Sequence, residues 1–317
     1  MREKNIKITL GVVVPCYNEE EVLPETLKRL TKLLANLVSS GRISEVSRIW
    51  FVDDGSRDRT WQLIESFSRD GLPVRGIKLS RNRGHQNALL AGLFTAEGDA
   101  LVSIDVDLQD DINAIKSMVD HFRAGAEIVL GVRNSRPTDS FFKKYSAEAY
   151  YHLLSWCNVD LVFNHADYRL LGRRALDTLK EYSEVNLFLR GLVPQLGFRT
   201  EIVEYSRAER FAGESKYPIT KMLEFAWDGI TSFSTTPLRW ITWLGFSVTS
   251  VAFALGLWAL WAALIYNTAL PGWMSTVLPV YFMGGVQLVA TGVIGEYVAK
   301  TYMETKHRPR YVIDKTI

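Results

Sequence analysis

The chain has 317 residues, enough for one sizeable domain and a further segment. Its net charge of +2 argues against nonspecific binding of a polyanion such as nucleic acid, and its two cysteines, Cys16 and Cys157, are too few for a cysteine-built metal framework. The opening residues are polar and charged, which is not the pattern of a secretory leader.

Residues 8–14 form a continuous apolar run, predicting a strand that ends in Pro15-Cys-Tyr-Asn-Glu-Glu-Glu21. Helical periodicity follows through Leu23, Leu27, Leu30, Leu34 and Leu37. Residues 49–52 read as a second strand ending in Asp53-Asp54-Gly55-Ser56, with a helix from about Asp58. Residues 74–79 read as a third strand, closed by Ser80-Arg-Asn-Arg-Gly-His85, and a helix over residues 86–96 leads into the apolar run at Leu101. Strands alternating with helices describe an open, mostly parallel α/β sheet. Such sheets bind ligands at the carboxyl ends of their strands, and here those ends carry acids, amides and glycines.

The strand from Leu101 runs into Asp105, Asp107, Asp110 and Asp111. Acids two apart on a strand point the same way, and like charges that close favour a cation. All-oxygen ligands suit Mg²⁺ or Mn²⁺, with Gln109 able to add a carbonyl oxygen. Asp53 or Asp54 can accept from a ribose hydroxyl or the imide N–H of uracil. Neither a Gly-x-Gly-x-x-Gly after the first strand nor a Gly-x-x-x-x-Gly-Lys occurs, so the usual dinucleotide and P-loop readings lose support.

From Trp240 to Gly295 the chain carries no Asp, Glu, Lys or Arg. Residues 240–266 and 276–297 are each long and apolar enough to cross a bilayer, separated by an uncharged turn with Pro271 and Gly272. Lys300, Lys306, Arg308, Arg310 and Lys315 follow the second span and Arg239 precedes the first, placing both termini in the cytoplasm by the positive-inside rule.

Val-Val-Val-Pro-Cys-Tyr-Asn-Glu-Glu (12–20), Val-Asp-Asp-Gly-Ser (52–56) and Asp-Val-Asp-Leu-Gln-Asp (105–110) resemble the motifs of family-2 GT-A glycosyltransferases. Within that group the chain resembles the polyprenyl-phosphate glycosyltransferases, relatives of dolichol-phosphate mannose synthase, and most of all the bacterial bactoprenol glucosyltransferases. The paired C-terminal spans belong to the same pattern. The resemblance implies a GT-A domain over residues 1–215, an amphipathic interface helix over 216–237, two transmembrane helices over 238–300 and a basic cytosolic tail over 301–317. It implies that Pro15, Tyr17 and Glu19 line the nucleotide base, with Asp53 and Asp54 near the uracil or ribose. Asp105, Asp107 and Gln109 would hold Mg²⁺ or Mn²⁺ and, through it, the donor diphosphate. An acid near the reacting centre is implied at Asp167, as a general base or as a group positioning Arg169 or a sugar hydroxyl.

Arg133 and Arg136 follow a strand over residues 127–132 and are placed to grip an acceptor phosphate. Residues 141–157 mix Lys143 and Lys144 with aromatics, predicting a helix in the membrane interface. Residues 164–170, which carry Asp167 and Arg169, read as the connection to a helix from about Arg173. Residues 204–218 read as a lid over phosphates, with Arg210, Ser215 and Lys216 as the contacts the resemblance implies. A second amphipathic helix is expected over residues 217–233.

The function expected is inverting transfer of a hexose, glucose by resemblance, from UDP-glucose to undecaprenyl phosphate at the plasma membrane. GDP-mannose or a UDP-modified arabinose are alternative donors, and a membrane-anchored nucleotide-sugar binder without catalysis is the alternative from another class. Homo-oligomerisation, as a tetramer, is implied by the resemblance alone. A processive polysaccharide synthase is disfavoured, because Arg239-Trp240 lacks the Gln of a Gln-x-x-Arg-Trp motif and only two spans exist.

Overall fold

The computed structural model describes residues 7–133, 165–184, 189–206, 227, 230–231, 234–266 and 272–317. These divide into two compact units, one built on a sheet and including residues 308–317, the other helical and within residues 219–307. Arg136, Arg210, Ser215, Lys216, the 141–157 helix and most of the 217–233 helix lie outside the described residues.

The sheet unit holds eight strands in the order β7-β5-β6-β4-β1-β2-β3-β8. β1 (Leu10–Cys16), β2 (Arg48–Asp53), β3 (Val74–Leu79) and β4 (Ala100–Ser103) are mutually parallel. Every residue of β1 is buried, as a strand covered on both faces must be. Its side chains alternate. Val12 and Val14 join a core with α1 (Leu23–Ser39), α2 (Thr60–Arg69) and α4 (Ala114–Arg123). Val13 turns to the opposite face, where α3 (His85–Thr95) packs so close that a Cβ on Gly92 would collide with it.

β5 (Ile128–Arg133) and β7 (Thr200–Tyr205) pair in parallel with each other. Between β4 and β5 runs β6 (His165–Gly172), antiparallel to both. The segment expected as a helix connection is thus a central strand, followed by α5 (Arg173–Glu181) and α6 (Leu189–Gln195).

The end of the stretch expected as a basic cytosolic tail is a strand. β8 (Ile313–Thr316) pairs antiparallel with β3, and Ile317 exchanges both main-chain hydrogen bonds with Gly76 at 2.9 and 3.0 Å. Lys315 meets Glu65 at 2.5 Å.

The helical unit contains α7 (Thr236–Tyr266) and α8 (Gly272–Thr305). α8 begins inside the stretch expected as a turn and runs past the expected end of the second span. Thr236–Trp258 and Phe282–Thr305 are long and apolar enough to cross a membrane, and, Pro237 apart, none of their residues is buried. Side chains such as Trp243 (71 % exposed) and Phe253 (68 %) need an apolar surrounding that water does not supply.

Candidate active site

Among the described residues, the loops after β1, β2, β3 and β4 stand at the carboxyl end of the sheet. The first two are zipped together. Asn18 donates its N–H to Ser56 Oγ (3.0 Å), Glu19 to Thr60 Oγ1 (2.9 Å) and Glu20 to Asp58 Oδ2 (3.1 Å). Asp58 also accepts from Thr60, so it organises the start of α2 and the loop after β1 at once. Pro15 is a buried residue of β1, opposite Val52, whereas Tyr17 is 42 % exposed at the mouth of the site.

Asp53 and Asp54 part company. Asp53 is fully buried; one oxygen accepts from the Ser56 N–H (3.1 Å), while Oδ2 has no hydrogen-bond partner. A buried acceptor left open is costly unless a ligand N–H or O–H completes it. Burial raises the Asp53 pKa against the opposing hydrogen bond from Ser56. Asp54 instead accepts the N–H groups of Arg83 (2.7 Å) and Gly84 (2.9 Å), one on each oxygen. These two bonds shape the β3–α3 loop. That loop crosses Gly55 so closely that a Cβ there would lie 2.6 Å from Arg81, and φ at Gly55 is +69°.

β4 ends at Ser103, so Asp105 and Asp107 stand on a loop and not on the strand from which their parallel orientation was expected. The loop is pinned by Thr26 Oγ1 donating to the Val106 carbonyl (2.8 Å) and by Tyr168 OH donating to the Asp111 carbonyl (3.0 Å). Between these pins Leu108 takes φ +58°, and the Gln109 N–H donates to Asp107 Oδ1 (3.2 Å). Among the described residues no three His, Cys, Asp or Glu side chains form a metal cluster. Two carboxylates and an amide still fit Mg²⁺ or Mn²⁺, which keep several positions for water and substrate phosphates. Burial, against the pull of nearby His85, raises the Asp105 pKa, and Asp110, Asp167 and Asp107 push it further the same way. An excess of negative charge of that kind suits a cation.

Asp110 is buried and accepts from Tyr205 OH (2.8 Å), with Arg133 Nη2 at 3.4 Å. Arg133 Nε donates to the same Tyr205 oxygen (3.0 Å), so Arg133 is anchored at the end of β5 with its side chain 27 % exposed. Behind this loop a cavity of about 570 Å³ is walled by Leu33 and Asn36 of α1 together with Leu108 and Ile112, apart from Asp105 and Asp107.

β6 brings Asp167 and Arg169 to one face, two residues apart, and Tyr168 to the other. Arg169 is 1 % exposed and pairs with Asp167 Oδ1. Arg169 thus holds Asp167 from within the fold. Arg190, on the first turn of α6, reaches Asp167 Oδ2 at 3.2 Å. Burial disfavours the Asp167 carboxylate, but Arg169 and Arg190 outweigh it and hold its pKa well below the usual range. His85 lies 3.5 Å from Asp105 Oδ1. His85, Arg190 and Tyr205 were given no role from sequence; only the polar run Ser80–His85 after a predicted strand hinted at the first.

The family model of glycosyl transferase family 2 matches residues 11–180. The chain belongs to that family. It is 48 % identical over 313 residues to the uncharacterized glycosyltransferase YkoT of Bacillus subtilis (strain 168), covering 98 % of this chain and 93 % of that one. It is 40 % identical over 310 residues to the prophage bactoprenol glucosyl transferase homolog of Escherichia coli (strain K12), covering 96 % and 98 %. Among solved structures, glucosyl-3-phosphoglycerate synthase from Mycobacterium tuberculosis, crystallised with Mn²⁺, UDP and glucosyl-3-phosphoglycerate, gives a TM-score of 0.44 at 18 % identity over 73 % of this chain and 80 % of that one.

Proposed function

We propose that this family-2 glycosyltransferase moves glucose from UDP-glucose to a polyprenyl phosphate, with inversion at the anomeric carbon. The observation that carries the reading is the full-length likeness to a protein named for bactoprenol glucosyl transfer, in a chain that also holds two apolar helices of membrane-crossing length. The open Asp53 Oδ2 supports a base presenting an N–H, as uracil does, with Tyr17 at its edge. Asp105, Asp107 and Gln109 would hold Mg²⁺ or Mn²⁺, which when bound offsets charge on the departing diphosphate.

The phosphate oxygen of the lipid attacks the anomeric carbon as the bond from that carbon to the diphosphate oxygen breaks. An ionised phosphate has no proton to lose, so the step needs no general base. Asp167 suits this chemistry, because a carboxylate clamped by two guanidinium groups is a weak base and a weak nucleophile. Its part is to orient charge in the site, and Arg133 supplies a fixed positive group at the acceptor side. The basic residues flanking the two helices and the return of residues 308–317 to the sheet unit support a cytoplasmic catalytic domain with both termini on its side.

The test is extraction of labelled lipid from purified protein, undecaprenyl phosphate and a panel of labelled UDP- and GDP-sugars. Label from UDP-glucose should enter the organic phase, disappear with EDTA, and be lost in Asp107→Asn. Label from a different donor would replace glucose as the sugar, and EDTA-resistant transfer would remove the metal assignment.

A further inference from the structure

Asp167 is held by two arginines in different settings. Arg169 is 1 % exposed, and its guanidinium is committed to Asp167 and to the Leu189 carbonyl (3.0 Å). That contact already balances the carboxylate. Arg190 brings a second guanidinium to the same group while its side chain stays 35 % exposed. Two guanidinium groups thus share one carboxylate, and of the two it is Arg190 whose side chain reaches solvent. The backbone that presents Arg190 is fixed as well. The Leu189 N–H donates to Gln86 Oε1 on α3 (3.4 Å), next to His85, which itself reaches Asp105. The first turn of α6 is thereby tied to the element that faces the acid loop.

From this placement we propose that Arg190 is a phosphate-binding residue of the site, engaging an oxyanion of the lipid phosphate or of the departing diphosphate. The proposal rests on the glycosyl-transfer reading above. A guanidinium fork matches phosphate oxygens in pairs, and one already held by a carboxylate loses little freedom when an anion arrives. Asp167 then orients Arg190, in addition to being held by it.

The full-length protein in detergent would be compared as wild type, Arg190→Lys, Arg190→Gln and Asp167→Asn. Two constants are read: affinity for UDP in the presence of Mn²⁺ by calorimetry, and KM for undecaprenyl phosphate in transfer. Arg190→Gln should weaken one of them by about tenfold or more, with Arg190→Lys intermediate. A loss in UDP affinity assigns Arg190 to the diphosphate, and a rise in the lipid KM assigns it to the acceptor. Both constants unchanged, with kcat lowered as far as in Asp167→Asn, would overturn the proposal and leave Arg190 acting only through Asp167. Melting temperatures accompany each variant, and should the Gln variant unfold, the charge-conserving Lys variant decides on the same two constants. If the wild type transfers no sugar, the functional reading falls, yet affinities for UDP and for undecaprenyl phosphate still test Arg190: either one weakened in the variants supports phosphate binding, and both unchanged refute it.

Discussion

At Asp167 burial and charge pull in opposite directions. Burial alone would raise its pKa, but the adjacent Arg169 and Arg190 win, and the carboxylate stays ionised throughout the neutral range. The linkage sign follows. A group whose folded pKa lies below its unfolded value, about 3.9 for Asp, stabilises the fold fully above that value and loses the contribution as pH falls below it. Wild type should therefore exceed Asp167→Asn in stability most at neutral pH, with the gap closing below about pH 4 in denaturant melts. A gap that widened in acid would reverse the assignment. Removing the carboxylate altogether, as in Asp167→Ala, leaves the buried Arg169 without its counter-ion and should cost about 3–5 kcal/mol. In Asp167→Asn, kcat should fall by about 10²-fold or more if oriented charge is what the residue supplies. Its pH profile between about 5 and 8 should keep the wild-type shape, since a group already ionised there titrates outside that window.

The elements differ in how plainly the sequence announces them. β1, β2 and β3 are apolar along their length because both faces are covered, and such runs read directly as strands. β6 occupies an equally central place but carries His165, Asp167, Tyr168 and Arg169. Its charges balance one another inside the fold, and no periodicity rule registers a pair that becomes neutral only after folding. β8 escapes for the opposite reason, being short, polar and wholly exposed along one edge. In the site, the acids were legible as types and positions, whereas their division of labour was not. Asp53 and Asp54 are neighbours in sequence, yet one keeps an open oxygen and the other spends both on the backbone of the β3–α3 loop. Asp54→Ala should therefore release that loop and cost on the order of 2 kcal/mol for the lost charge-assisted bonds. Amide exchange in residues 81–86 should speed up while α4 stays protected. Equal loosening of both would mean that Asp54 supports the whole unit and not its loop.

For the molecule as a whole, the path of the chain constrains how it meets a bilayer. The polypeptide leaves the sheet unit, forms α7 and α8, and comes back to the sheet as β8. If both helices cross a membrane, two crossings return the chain to the side it left, which is where β8 must be to pair with β3. The charge pattern agrees independently: the connection between α7 and α8 has no Lys or Arg, while Lys300, Lys306, Arg308, Arg310 and Lys315 follow or end the second helix. A single crossing, with one helix lying in the interface, would strand β8 on the wrong face and leave the β3 edge unpaired. Cysteine labelling separates these arrangements. A membrane-impermeant maleimide should modify Thr268→Cys in intact cells, in a background where Cys16 and Cys157 are replaced. Thr316→Cys should react only after the membrane is opened. Labelling of Thr316→Cys in intact cells, or protection of Thr268→Cys there, would mean that the helices do not form a two-span hairpin with the sheet unit inside the cell.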